Sequence, residues 1–363
     1  MTVRAPGTGR LLAIESSCDE TAVAVVEGGR RIVSNVVASQ VALHSATGGI
    51  VPEVAARAHL RWMIPVLDEA RQRAGLDDWS GIEAIAVTEG PGLAGSLLVG
   101  ITMAKTLAWS EALPLVPVNH LEGHIYAAWL LDPEEEEHPG PEFPLVALVV
   151  SGGHTFLVEM TDHLTYRLLG QTVDDAAGEA FDKVGRLLSL PYPGGPAIMA
   201  AAATAALRDR RFPRAWLGDS YDFSFSGLKT AARRAVGEAL GRSPEDRGLD
   251  GTALPPETVA ELAWAFQESV VDVLATKTVR AARELGARSI ILGGGVAANS
   301  VLRERIAEGS QRLGVPLVVP RPGLCTDNGA MIGAAGWHRL AIGSRADASL
   351  DAKPSLKLAV PAA

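Results

Sequence analysis

The run His120-Leu121-Glu122-Gly123-His124 holds two imidazoles four positions apart. On a helix that spacing turns both rings to one face, where they suit a single metal ion. Asp327, in Cys325-Thr326-Asp327-Asn328 just ahead of a small-residue helical stretch, offers a hard oxygen as a third ligand. Two imidazoles with one carboxylate fit ferrous iron or zinc. Plainer readings stand beside this one: a histidine pair satisfied in a core, and an aspartate that only caps the next helix. Metalloproteases also space two histidines by four, but their glutamate directly follows the first histidine. Glu122 comes one residue later and on a helix turns away from the imidazole face, a poor place for a base on a metal-bound water. Cys325 reads as a small buried residue rather than a ligand.

Glycine-rich loops supply a second chemistry. Val150-Ser151-Gly152-Gly153-His154 follows an apolar strand pattern. Its glycines let backbone N–H groups approach an anion, with a hydroxyl and an imidazole as further donors. Glu15-Ser16-Ser17-Cys18-Asp19-Glu20-Thr21 holds the matching place early in the chain. Asp19 and Glu20 would repel a phosphate there, so they are expected to work through a metal or a water. Gly293–Asn299 follows a strand and opens a helix, a turn that can receive a ribose or adenine edge with Asn299 as hydrogen-bond partner. One such loop is weak evidence, since tight connections use the same residues; three in one chain point to a nucleotide. A lysine-bearing P-loop is absent, because Ile101 stands where the spacing of Gly95 and Gly100 would need lysine. Asp174, Asp175, Gly178, Glu179 and Asp182 fall near one helical face, either an ordinary charged surface or a seat for ribose or magnesium. Lys229, behind Phe223-Ser224-Phe225-Ser226-Gly227-Leu228 and with Arg233 and Arg234 one turn on, offers a phosphate or RNA contact. Core aromatics beside surface bases is the plainer alternative.

The elements that must carry these residues alternate in type. Leu11–Ile14 and Ala22–Val26 read as strands around the first polar loop, and Leu145–Val150 and Phe156–Met160 as strands around the second. The recurrence suggests an internal duplication. Helical patterns cover Val51–Ala74 (starting near Pro52), Ser96–Ser110, Glu257–Leu285 and Asn328–Leu340; further strands cover Ile82–Thr88, Ser289–Leu292 and Leu317–Val319. Strands alternating with helices predict an α/β protein. Pro133–Pro144, with four consecutive glutamates, reads as a solvated insertion loop, and the ends up to Arg10 and from about Ser344 as disordered tails. A chain of 363 residues exceeds one ordinary core and fits two lobes. Its 47% hydrophobic and 21% charged residues are those of a globular protein. A net charge of -9 leaves nucleic acid to a local basic patch or a partner's help. Two distant cysteines, Cys18 and Cys325, make no disulfide scaffold and fit a reducing compartment. With no apolar leader in Met1–Arg10 and no uncharged apolar run of roughly 18 residues, a cytoplasmic location and no membrane partner are expected.

In their order along the chain, Glu15–Thr21, His120–His124, Ser151–His154, Asp174–Lys183, Phe223–Lys229, Gly293–Asn299 and Cys325–Asn328 resemble the motifs of the universal TsaD family, the tRNA N6-adenosine threonylcarbamoyltransferases. The resemblance runs from about Leu11 to Leu340, and His44–Leu60, with Gly48-Gly49-Ile50-Val51-Pro52-Glu53, resembles the bacterial branch. It implies the duplicated actin-like fold of actin, sugar kinases and heat-shock ATPases, two lobes around a nucleotide cleft. Residues 11–119 plus 326–343 would form the N-terminal lobe and 120–325 the C-terminal lobe, with tails at 1–10 and 344–363. It implies an acyltransferase that moves the threonylcarbamoyl group from threonylcarbamoyl-AMP to N6 of the adenosine just 3′ of the anticodon, in tRNAs reading codons that begin with A, with release of AMP. His120, His124 and Asp327 would hold one Fe2+ per subunit, with Zn2+ or Mg2+ as alternatives. Val150, Ser151, Gly152, Gly153, His154, Asp182, Gly195 and Asn299 would seat ATP or the adenylate. Glu15 and Asp19 are candidates for accepting the proton of N6. Met199 stands where the family often has an acidic residue after Gly194-Gly195-Pro196, so no substrate contact is assigned to it. The implied partners are tRNA, a TsaB-like paralogue and a TsaE-like ATPase, with the helices of Val54–Ala74 and Ser96–Ser110 as docking surfaces. Competing readings are a metalloprotease, an old label for the family, a small-molecule kinase or ATPase of the same fold, and a non-catalytic assembly subunit.

Overall fold

A computed structural model describes residues 9–45 and 49–358. In chain order the elements are β1 (Arg10–Glu15), β2 (Glu20–Glu27), β3 (Arg31–Ser39), α1 (Val41–Ser45), α2 (Pro52–Arg73), β4 (Ile82–Gly90), α3 (Ala94–Ser110), β5 (Leu115–Asn119), α4 (His120–Tyr126), β6 (Leu145–Val150), β7 (Thr155–Asp162), β8 (Thr165–Gln171), α5 (Ala177–Leu187), α6 (Gly194–Ala203), α7 (Ser226–Leu240), α8 (Pro256–Glu284), β9 (Ser289–Gly293), α9 (Ser300–Leu313), β10 (Leu317–Val318), α10 (Pro322–Cys325) and α11 (Gly329–Ala341). They form two compact units. Of the described residues, the first holds those up to Pro141, Asp162–Tyr166 and those from Pro320 on; the second holds Glu142–Thr161 and Arg167–Val319.

In the first unit the sheet order is β3-β2-β1-β4-β5, with β1–β2 and β2–β3 antiparallel and β1–β4 and β4–β5 parallel. Leu12, Ile14, Val23 and Ile85 face α2 and α3 and share a core with their Met63, Leu67, Leu97 and Ile101. The alternate residues of the same strands face α11, whose glycines let it lie close. A Cβ at Gly333 would stand 2.7 Å from Val26, and one at Gly336 would stand 2.8 Å from Ala86. Covered on both faces, β1 and β4 show unbroken apolar runs instead of alternation.

The second unit repeats the plan. Its sheet runs β8-β7-β6-β9-β10, with β6–β7 antiparallel and β6–β9 and β9–β10 parallel. Third, second, first, fourth and fifth strands lie side by side in the same order in both units, which is the duplication expected from the recurring strand–loop–strand signal.

Three features depart from the sequence expectation. α4 belongs to the first unit, whereas the resemblance opens the second lobe at residue 120. It packs on α11, where a Cβ at Gly123 would lie 2.9 Å from Ile332. Strands β3, β5 and β8 carried no clear strand signal: β3 and β8 are edge strands of mixed polarity, and β5 is short and contains Pro117. The stretch after Ser344 is ordered along the first unit, not loose. Ala346 N donates to Leu115 O at 2.8 Å and Lys353 N to Glu89 O at 2.8 Å, Lys353 pairs with Glu89, and Leu358 is buried. These bonds run to strand ends far away in sequence, so no local periodicity announces them. Residues 1–8 and 359–363, the outer parts of the expected tails, lie outside the described residues. The acidic Pro133–Pro144 segment has no helix or strand, and Arg31 holds it by donating to the carbonyls of Asp132, Pro133 and Glu135.

Candidate functional site

β5 runs straight into α4. The Asn119 carboxamide oxygen accepts from Leu121 N at 2.9 Å and starts that helix at His120. At the other end of the site Asn328, fully buried, caps α11 by accepting from Met331 N at 3.0 Å. The capping role that Asp327 could have filled is therefore taken by its neighbour, and the Asp327 carboxylate turns to the histidines. Its Oδ1 lies 3.2 Å from His124 Nε2 and 3.5 Å from His120 Nε2. The two rings stand edge to face, with centroids 4.7 Å apart. One donor atom from each of the three residues lies within 4.8 Å of the others.

Two observations fit a cation at this point. His124 is buried, and neither of its ring nitrogens has a hydrogen-bond partner, a costly state for an imidazole unless an ion satisfies it. Burial, then the neighbouring Asp327 and Asp19 carboxylates, push the Glu20 carboxyl well above the usual carboxylate range, a crowding of acids that a bound cation relieves.

Behind His120 stands a wholly buried carboxylate. Glu15 Oε2 accepts from His120 Nδ1 at 3.0 Å and from Thr88 Oγ1 at 2.6 Å, while Oε1 accepts from Ser17 N. Ser17 Oγ is 3.1 Å from the same imidazole nitrogen. This fixes the tautomer and aims His120 Nε2 at His124 and Asp327, as outer carboxylates do at metal sites. Burial works against the Glu15 charge, yet the facing imidazole holds the carboxyl below its ordinary value. Burial also opposes charge on His120, but Asp327 and Glu15 outweigh it and raise the imidazole to about 9. A metal ligand must be neutral, so at pH 7 binding has to displace this proton. Apparent metal affinity should climb about tenfold per pH unit from 7 to 9 and level off above. Metal titrations across that range, with proton release followed in two buffers, check this; a flat profile refutes it.

The rest of the first loop is pinned by residues that sequence motifs did not single out. Thr21 donates to His59 Nδ1 at 2.7 Å, and His59 Nε2 donates to Cys18 O at 3.0 Å. Asp19 lies half-buried on this loop. Glu122 faces away from the histidines and forms a two-pronged pair with Arg339, at 2.6 and 2.7 Å. Cys325 is buried, its thiol donating to Pro320 O at 3.1 Å.

The expected nucleotide residues all lie in the second unit, and most meet there. The 150–154 loop is a tight turn, with Ser151 N donating to His154 O at 2.8 Å and His154 N to Ser151 Oγ at 3.2 Å. Gly152, Gly153 and Gly195 face open space, where a ligand could approach the backbone. A Cβ at Gly178 would strike Ser151 O at 2.4 Å, so α5 starts hard against this loop. Gly294 likewise brings the 293–299 turn onto Val150, with a positive φ of 85° and 2.4 Å from a Cβ to Val150 O. Asp182 accepts from Gly194 N at 2.7 Å and so sets the start of α6 beside Gly195. Asn299 caps α9 through Leu302 N at 3.1 Å and donates to Gln267 at 2.9 Å. The acidic 174–182 stretch is not one open face. Asp174 accepts from Ser224, Phe225 N and Ser226, pinning the loop before α7, and Asp175 pairs with Lys183. Met199 lies 3.9 Å from Ser300 Oγ.

Fold and site together define an α/β protein of duplicated actin-like architecture, with a possible two-histidine, one-carboxylate metal centre in one unit and nucleotide-type loops in the other. Comparison with known proteins narrows this class. The family model for TsaD, tRNA N6-adenosine threonylcarbamoyltransferase, matches residues 31–334. The protein of that name from Thermomicrobium roseum is 56% identical over 357 residues, covering 96% of each chain. Its namesake from Symbiobacterium thermophilum is 50% identical over 352 residues, covering 97% of this chain and 98% of its own. The chain belongs to the tRNA N6-adenosine threonylcarbamoyltransferase family and is a transferase. Among solved structures, HypF of T. kodakarensis shares the fold, with a TM-score of 0.58 at 16% identity, over 92% of this chain and 48% of that one. No helix among the described residues is long and apolar enough to cross a membrane.

Proposed function

We propose that this chain moves the threonylcarbamoyl group of threonylcarbamoyl-AMP to N6 of the adenosine just 3′ of the anticodon, in cytoplasmic tRNAs reading codons that begin with A, and releases AMP. The observation that carries this reading is the buried His120–His124–Asp327 cluster with Glu15 behind it, in a chain more than half identical to an enzyme of that name. The three residues would hold Fe2+, which when bound supplies Lewis-acid charge to the oxygens of the mixed anhydride. The chain's own groups do the rest. Backbone N–H groups of 151–154 and the start of α6, set by Asp182, receive the AMP portion, and the Gly294–Asn299 turn shapes the neighbouring wall. AMP is already a good leaving group, so catalysis is mostly positioning. Asp19 accepts the proton leaving N6; Glu15, buried and engaged at both oxygens, positions His120 instead.

Glu15→Gln separates these roles. As a positioning residue, its loss should lower metal affinity and transfer together, by roughly 10- to 100-fold. It should also move the pH profile of metal binding downward, because His120 loses a facing charge. Unchanged metal affinity with abolished transfer would make Glu15 the proton acceptor.

A TsaB-like paralogue and a TsaE-like ATPase are the proposed partners. Leu60 and Ile64 on α2 and Trp109 on α3 stand 68%, 59% and 85% exposed, apolar surface that favours docking of the former. The decisive experiment incubates the purified chain with threonylcarbamoyl-AMP and unmodified tRNA, with and without chelator and partners. AMP release that needs both tRNA and metal supports the reading. ADP made with a small acceptor, or peptide cleavage, overturns it.

A further inference from the structure

An acidic chain that acts on tRNA has to gather positive charge somewhere on its surface. Helices α8 and α9 do so. On α8, Thr276, Arg280 and Arg283 stand at i, i+4 and i+7; on α9, Arg305, Gly309 and Arg312 repeat that spacing. Each trio lines one helix face, and the two faces border a single groove of about 470 Å³. A Cβ at Gly309 would come within 2.4 Å of Val279. The glycine therefore lets the helices touch and sets one arginine row on each side of their crossing. None of the groove's lining residues is acidic.

The four guanidinium groups divide into a frame and a reach. Arg305 is tied to Glu268 at 3.0 Å and to Asp272. Arg280 lies over the Tyr221 ring, 4.3 Å from its centroid, and donates to Asp219 O at 3.0 Å. Arg283 is exposed, with Glu284 no nearer than 4.0 Å, and Arg312 is exposed with no acidic partner among the described residues. α9 starts at Ser300, right after Asn299 of the nucleotide turn, so Arg305 and Arg312 lie about 9 and about 20 Å along its axis from that turn.

We propose that this groove grips the sugar–phosphate backbone of the tRNA stem adjoining the nucleoside that is modified, with Arg283 and Arg312 as the phosphate contacts. The proposal rests on the transferase reading. Guanidinium forks suit phosphate oxygens, and backbone contacts fix register without reading sequence, as an enzyme serving several tRNAs requires.

The test uses the full chain with its partner proteins, unmodified tRNA, and the double variant Arg283→Ala/Arg312→Ala, both positions being exposed. tRNA affinity at 0.1 M salt should fall on the order of tenfold, and the slope of log affinity against log salt should become shallower by about 2. KM for tRNA should rise by the same factor, with kcat and KM for threonylcarbamoyl-AMP unchanged. Arg283→Lys/Arg312→Lys should restore the slope. Unchanged affinity and slope, or a lysine variant as weak as the alanine one, overturns the proposal. So does loss of a partner protein with tRNA affinity intact, which would give the groove to an acidic protein surface. Wild-type protein that binds tRNA with the full salt slope but releases no AMP sinks the transferase reading alone; intact transfer with wild-type KM in the double variant sinks the groove alone.

Discussion

Replacing His124 by alanine is expected to remove bound metal and transfer activity together while leaving the fold in place. The imidazole is buried, and neither ring nitrogen makes a hydrogen bond; Asp327 Oδ1, 3.2 Å from its Nε2, keeps His120 Nε2 beside it at 3.5 Å when the ring is removed. The start of α4 is secured by Asn119, and its packing on α11 by Gly123. What the variant loses is one of three ligands. Activity should therefore fall by more than the roughly 10- to 100-fold that an outer-shell loss costs. His120→Ala should abolish transfer as well, but less cleanly. It leaves the buried Glu15 carboxylate with only Thr88 and Ser17 N, and an under-satisfied buried charge costs stability in its own right. Metal content by elemental analysis, transfer to tRNA, and thermal unfolding should be read on the same preparations. Full transfer by a metal-free His124→Ala protein would sink the metal assignment.

The contrast between these two histidines also marks what a sequence can show. Their i, i+4 spacing is local, and so is the choice between Asp327 and Asn328 as cap of α11, although only the structure resolves the latter. The strand pairs around each polar loop were legible because β1 and β6 are buried on both faces and leave unbroken apolar runs. Glu15 was visible as a loop carboxylate but not as the group behind His120, 105 residues away. That contact exists because β1 and β5 flank β4 in parallel register, so the end of β1 and the start of α4 emerge on one side. His59 was silent for the same reason: its partners Thr21 and Cys18 come from another layer. Asn299 shows a second use that the sequence left open. A polar residue at a strand-to-helix turn reads as a ligand contact, and in the fold its side chain also caps α9 and holds Gln267. The arginine rows of α8 and α9 are each periodic, but only the crossing at Gly309 makes them one surface.

Glu122 is where the protease reading and the structure part most sharply, and it carries the largest expected effect on stability. A metalloprotease needs a glutamate poised over a metal-bound water. Here Glu122, 1% exposed at its side chain, meets Arg339, 18% exposed, in a two-pronged pair. Burial pushes the Glu122 carboxyl up, against the pull of that guanidinium. Cutting the pair from one side leaves a buried, uncompensated charge between α4, which carries both histidines, and α11, which follows Asp327 by two residues. Arg339→Ala or Glu122→Ala should therefore cost about 3 to 5 kcal/mol of stability, whereas replacing both by apolar residues of similar volume should cost far less or nothing. A general base would behave otherwise, with activity lost and stability kept in Glu122→Gln. Denaturant midpoints for the two single variants and the double variant, with transfer measured on the folded fraction, distinguish the cases. A single variant as stable as the parent would remove the ion pair from the account of how α4 is held on α11.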